Sequence, residues 1–157
     1  MGAQVDEDSR VLEGGEWVAN LVVSPGNLRG TVVEPADVPA MVDELPLLAC
    51  LATCAEGDTM ITGAGELRVK ESDRIAAVVA NLRGIGGDVD ELSDGMHIRG
   101  SRRPLRGRVT THGDHRLAMA FGILGAVRGN EIEIDDRDCV AVSYPEFWRD
   151  LALVTGE

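Results

Sequence analysis

The amino-acid sequence predicts an α/β fold built from about two pseudo-repeats of strand, helix, strand, helix. Three observations predict it. Short apolar strands alternate with longer stretches of helical periodicity, the order that builds α/β units. Two helical stretches, residues 45–55 and 117–127, are apolar nearly all round, which marks buried helices. The second half of the chain can also be laid over the first: a shift of 72 places Leu45 on Leu117, Leu51 on Ile123 and Gly57 on Gly129.

Residues 17–23 (WVANLVV) alternate loosely and read as a strand, closed by the turn Ser24–Asn27. Gly30 to Glu34 reads as a second strand. The first helix follows, with Pro46 tolerable in its first turn and Gly57 ending it. Residues 58–62 form a strand and Leu67 to Val69 a shorter one. Lys70 to Ile85 reads as a helix, because Ile75, Val78, Val79, Leu82 and Ile85 fall on one face. Gly86 and Gly87 stop it. Asp88 to Gly100 reads as a hairpin around Ser93, Asp94 and Gly95. A basic loop (Arg102 to Arg106) leads to a strand (Arg108 to Thr111), the second apolar helix, a strand (Glu131 to Ile134) and a last helix from about Tyr144 to Val154. The 157 residues suit a single domain, with repeat one at about 17–100 and repeat two at about 107–154.

Composition narrows the function. With 44% hydrophobic and 3% aromatic residues, the core must be aliphatic. A net charge of -12 opposes binding to nucleic acid or to anionic membrane, so any anionic ligand needs a local cluster of cations. Three cysteines without CxxC spacing argue against a disulfide framework and against a zinc site. No run of eighteen apolar residues and no signal-peptide pattern occurs, so a soluble cytoplasmic protein is expected. Fourteen of the fifteen basic residues are Arg, and Lys70 is the single lysine.

The unusual chemistry falls where strands hand over to helices, the usual ligand edge of α/β units. In LRVKESDR, residues 67–74, Lys70 and Arg74 stand one helical turn apart, with Glu71 beside them. Two cations at a helix start oppose the dipole, whereas an anion there is welcome. A solvated helix start with a surface pair would read the same way. In HGDHRLAM, residues 112–119, Asp114 is a natural N-cap, and His115 and Arg116 occupy the first turn. Histidine suits hydrogen bonding or proton movement near neutrality, and arginine offers a fork for carboxylate or phosphate. In MVDELP, residues 41–46, Asp43 and Glu44 could cap a helix, or a carboxylate could accept a hydrogen bond from a substrate hydroxyl.

LRVKESDR with GDHRLAM downstream, PAMVDELP upstream and SYPEFW near the end is similar to the C-terminal region of the 5-enolpyruvylshikimate-3-phosphate synthases, from about Met1 to Leu153. UDP-N-acetylglucosamine enolpyruvyl transferases share that family's fold but not the KESDR wording. The resemblance implies part of an inside-out α/β barrel, with helices inside and sheet outside. It implies transfer of the enolpyruvyl group from phosphoenolpyruvate to shikimate 3-phosphate with phosphate release, a step of chorismate and aromatic amino acid biosynthesis, with no metal or organic cofactor. It implies that Asp43 contacts the 5-hydroxyl and assists its deprotonation, and that Lys70 touches shikimate 3-phosphate. Glu71 would move the proton on the methylene carbon. Arg74 and Arg116 would hold phosphoenolpyruvate, with His115 beside them. Many members carry a lysine where this chain has Val142. The family's N-terminal motifs have no counterpart here, so the partner expected for this chain is the missing N-terminal lobe of the same enzyme. The alternative is a non-catalytic anion-binding or structural fragment of that fold. Lys70, Arg74, His115 and Arg116 should then lie near one another.

Overall fold

The computed structural model describes residues 1–156 and has mixed α/β architecture. Two helices make its centre: α1 (Leu45–Thr53) and α3 (His115–Gly125). Leu45, Ala49, Ala52, Leu117, Ala118 and Phe121 on them are completely buried, as their nearly all-round apolar sequences require. The remaining elements are β1 (Gln4–Glu13), β2 (Glu16–Ser24), β3 (Val32–Val33), β4 (Gly57–Ile61), α2 (Arg74–Gly84), β5 (Asp88–Leu92), β6 (Gly95–Gly100), β7 (Arg106–Val109), β8 (Glu131–Ile134) and α4 (Phe147–Thr155).

A four-stranded sheet runs in the order β3-β4-β6-β5. β3 and β4 are parallel, and the other two pairings are antiparallel. Its strands alternate, as a sheet with one dry face must. Val33, Thr59, Ile61, Val89, Met96 and Ile98 point into the core, while Asp58, Asp88 and Asp90 stay outside. A Cβ at Gly30 would lie 2.0 Å from the Asp58 carbonyl, so the entry to β3 admits only glycine. β7 and β8 form a separate parallel pair. β1 and β2 form a hairpin that pairs only with itself, and almost all of its residues are exposed.

The two halves repeat in the structure. α1 ends at Thr53 and α3 at Gly125, seventy-two positions later. Each half pairs the strands on either side of its buried helix in parallel, β3 with β4 and β7 with β8. Each then makes a 3-10 turn, Gly65–Val69 or Asp138–Val142, before its outer helix, α2 or α4.

Two differences from the sequence reading lie beside the helix ends that carry the candidate residues. Leu67 to Val69 is not a strand. It lies in the 3-10 turn, which sinks Leu67 into the core, while Gly63 and Ala64 are held by the β5–β6 turn through Asp94. The helix expected from Lys70 starts at Arg74 instead. Asp73 is its N-cap, accepting a hydrogen bond from the Ala76 amide at 3.0 Å, so Lys70, Glu71 and Ser72 stand in the bend before it. Periodicity finds the apolar face but does not distinguish a capping Asp from an Asp within the first turn. β1 escaped the sequence reading altogether, since QVDEDSRVLE carries too little alternation to separate it from a loop.

Candidate functional site

Three chain segments meet at the N-terminal ends of the helices: the turn Val42–Glu44 before α1, the bend Lys70–Asp73 before α2, and the Asp114 cap of α3. Their meeting point is an ion pair removed from water. Arg74 is 1% exposed and Asp114 is fully buried. The Arg74 Nε donates to Asp114 Oδ2 at 2.8 Å, and Nη2 donates to Oδ1 at 3.3 Å. The same guanidinium reaches both other segments. Nη1 donates to Asp43 Oδ1 at 3.0 Å, and Nη2 donates to Glu71 Oε2 at 2.6 Å. One arginine thus fixes three carboxylates that are far apart in sequence, using the planar fork that lysine lacks.

Asp114 serves three partners. Its carboxylate also accepts from the Ser72 hydroxyl at 3.0 Å and from the Arg116 amide at 3.0 Å, the latter closing the N-cap of α3. Burial pushes its carboxyl up, but the Arg74 hydrogen bonds and charge, then Ser72 and the Arg116 amide, outweigh this and hold it below the ordinary carboxylate value. Burial likewise works against the charge of Arg74. Asp114, Glu71 and Asp43 reverse that effect and keep the guanidinium above its ordinary value.

The half-exposed cations stand around this centre. Arg116 lies 3.3 Å from Asp43 Oδ2 and 3.3 Å from Glu44 Oε2. Lys70 donates to Glu66, which raises its pKa. Partial burial opposes the rise, Asp43 adds to it and Arg74 offsets it. Lys70 therefore feels the charges of the central cluster without bonding to it. His115 occupies the first position of α3, half-buried, beside Arg116. Asp43, Glu71, Arg74 and Arg116 are joined in one network, with Lys70 and His115 at its margin. Among the described residues no group of His, Cys, Asp or Glu is suited to hold a metal ion.

In one respect the arrangement differs from an open anion pocket. Each guanidinium or ammonium expected to meet substrate is already paired: Arg74 with three carboxylates, Arg116 with two and Lys70 with one. An arriving anion must exchange with Glu71, Asp43, Glu44 or Glu66. Sequence reasoning treated Asp114 only as a cap and passed over Ser72 and Glu66. The i, i+4 spacing of Glu66 and Lys70 was a usable signal for that pair. Nothing local in the sequence announces the pairing of Arg74 with Asp114 across forty positions. Val142 is 79% exposed at the end of its 3-10 turn.

Comparison with known proteins follows the same lines. The family model described as EPSP synthase (3-phosphoshikimate 1-carboxyvinyltransferase) matches residues 1–151. The chain is 52% identical over 155 residues to a 3-phosphoshikimate 1-carboxyvinyltransferase of Sulfurihydrogenibium sp. (strain YO3AOP1), covering 99% of this chain and 36% of the relative. It is 46% identical over 155 residues to that of Aquifex aeolicus (strain VF5), again covering 36% of the relative. Among solved structures, an EPSP synthase from Acinetobacter baumannii superimposes with a TM-score of 0.86 at 35% identity, over 99% of this chain and 36% of that one. The chain thus spans about a third of the length of the curated relatives it matches.

Proposed function

The chain belongs to the EPSP synthase family, and from that membership we propose that it supplies the C-terminal half of the site of a 3-phosphoshikimate 1-carboxyvinyltransferase. The reaction joins phosphoenolpyruvate to the 5-hydroxyl of shikimate 3-phosphate. The hydroxyl oxygen bonds to the enol carbon while a proton reaches the methylene carbon, giving a tetrahedral intermediate. The carbon–oxygen bond to phosphate then breaks, phosphate leaves, and loss of a proton from the new methyl group restores the double bond. Residues 1–157 are read as a partial lobe, with repeats at about 17–100 and 107–154, and the rest of the enzyme as its partner.

The observation that carries this reading is the single network joining Asp43, Glu71, Arg74 and Arg116 at the N-terminal ends of the helices. In it Asp43 and Glu71 are held as two carboxylates on one guanidinium. Asp43 is assigned to take the proton of the 5-hydroxyl, and Glu71 to move the proton at the methylene carbon. Arg74 and Arg116 are assigned to the carboxylate of phosphoenolpyruvate and Lys70 to shikimate 3-phosphate, with His115 beside them. For Arg74 this requires exchange: the substrate carboxylate takes the Nη2 donor from Glu71, whose side chain is 53% exposed and able to leave. That exchange would release Glu71 as an acid–base group only when substrate is bound. No metal or organic cofactor has a part in this scheme.

The test is a hybrid enzyme in which this chain replaces the matching stretch of the Sulfurihydrogenibium relative. Phosphate release should survive the replacement. It should fall at least a hundredfold on Glu71→Gln with little change in KM, the usual scale for a positioned acid–base group. Unchanged turnover in Glu71→Gln would remove Glu71 from the reaction. A folded hybrid that binds shikimate 3-phosphate but releases no phosphate would favour the non-catalytic alternative.

A further inference from the structure

At the opposite ends of α1 and α3 a second cluster of cations lines a cavity of about 220 Å³, walled by Arg102, Arg103, Arg128, Pro104 and Leu105. We infer that this cavity is a binding site for a small phosphate-bearing anion, separate from the network at the helix N-termini. α1 has nine residues, which separates the two sites by roughly 13 Å or more.

The argument begins with pairing. The chain has 27 Asp and Glu against 15 Lys and Arg, so nearly every cation should find a carboxylate. Among the described residues, ten of the fourteen arginines lie within 4.0 Å of a carboxylate. Arg137 stacks on Trp148, with its guanidinium carbon 4.0 Å from the ring centre. Arg29, Arg103 and Arg128 remain without a carboxylate partner, and two of these three line this one cavity. Arg102, beside them, has only a distant contact, 3.8 Å to Glu56.

Helix capping does not use these side chains. The Thr53 carbonyl at the end of α1 accepts from the amides of Ser101 and Arg102, at 3.1 and 3.3 Å. The Leu124 carbonyl near the end of α3 accepts from the Val127 amide at 3.2 Å and from Asn130 Nδ2 at 2.8 Å. The helix ends are therefore satisfied by backbone and by Asn130, and none of the three arginine side chains that line the cavity is used as a cap. Arg102 also holds a left-handed backbone, φ 52°, which a side-chain-bearing residue adopts at a cost. Such strain persists where the surroundings impose it and concentrates at functional positions.

The ligand class follows from charge and size. An arginine fork accepts carboxylate or phosphate, but three arginines among the residues lining one small cavity favour an anion of two or more charges. A phosphate or diphosphate group meets that requirement, and the volume leaves room for a small body attached to it.

The test is calorimetric titration of the full 157-residue chain at physiological salt with pyrophosphate, inorganic phosphate and malonate as probes. One saturable pyrophosphate site is expected, weakened at least tenfold in the double variant Arg103→Gln, Arg128→Gln and unchanged within twofold in Lys70→Gln, Arg116→Gln. Inorganic phosphate should compete with it, and malonate should bind more weakly than either. Thermal unfolding of each variant shows that loss of binding is not loss of fold. Absence of saturable binding overturns the inference. So does binding that follows Lys70 and Arg116, which would place the anion in the network at the helix N-termini. Equal binding of malonate overturns the phosphate assignment. None of these outcomes bears on whether the network at the helix N-termini is catalytic.

Discussion

Arg74 and Asp114 are the residues on which the arrangement of the site depends. Both are removed from water and each satisfies the other. Deleting one partner of a buried pair leaves an uncompensated charge. Asp114→Ala should therefore destabilise the chain by about 3–5 kcal/mol, more than the ~1 kcal/mol expected from losing the α3 cap alone. Asp114→Asn, which can still cap, should cost less than Asp114→Ala, and urea unfolding of both variants checks this. The pH dependence has a definite sign. Folding lowers the pKa of Asp114, and also that of Asp135, whose burial is outweighed by hydrogen bonds from Thr111 and Asp136. The folded state thus binds fewer protons than the unfolded one as acid is approached. The stability these carboxylates confer is full above the ordinary carboxylate range and is lost as pH falls through the folded values, below about pH 4. Melting temperatures between pH 7 and pH 3 should show that fall, with a shallower slope in Asp114→Asn. Asp43, Glu71 and Arg116 were legible as candidates because they sit at helix starts in unusual company. Their mutual bonds were not, because those bonds depend on how three segments far apart in sequence pack together.

The helices and strands follow from the sequence most directly where apolar residues dominate. Both buried helices, the β5–β6 hairpin and β8 lie where periodicity and turn residues place them. The reading failed where short-range polar contacts decide, at the Asp73 cap and in the turn Gly65–Val69. The contact of α4 with α3 depends on one glycine. A Cβ at Gly122 would stand 2.6 Å from the Trp148 ring and 3.3 Å from Phe147, closer than side chains pack. Gly122→Ala should therefore push α4 outward, cost about 1–3 kcal/mol as overpacking does, and alter Trp148 fluorescence. Gly125→Ala is the control. Its Cβ would meet Ile132 at an ordinary 3.6 Å, so the gain in helix propensity should leave stability equal or higher.

On the scale of the molecule, the hairpin of β1 and β2 stands apart from the core. Leu12, Trp17, Leu21 and Val23 on it are each between 59% and 66% exposed. Trypsin should cut first after Arg10, in this hairpin, and leave a fragment that still unfolds cooperatively, as mass spectrometry and thermal melts would show. On the proposed reading the site is likewise incomplete. Its cations are paired internally, its segments face solvent, and the chain spans 36% of the length of its relatives. Each substrate would meet two or three charge-assisted bonds in open water, each worth roughly 1.5–3 kcal/mol before ordering costs. Dissociation constants near millimolar follow from those values. On the proposed reading, excluding water and bringing the reacting atoms together would fall to the rest of the enzyme. The direct measurement is phosphate release from shikimate 3-phosphate and phosphoenolpyruvate by the 157-residue chain alone and after addition of the complementary part of a relative. No release is expected from the chain alone, with turnover appearing on complementation and disappearing again with Glu71→Gln. Robust release by the chain alone, abolished by Glu71→Ala, would contradict the half-site and show that copies of this chain build a complete one.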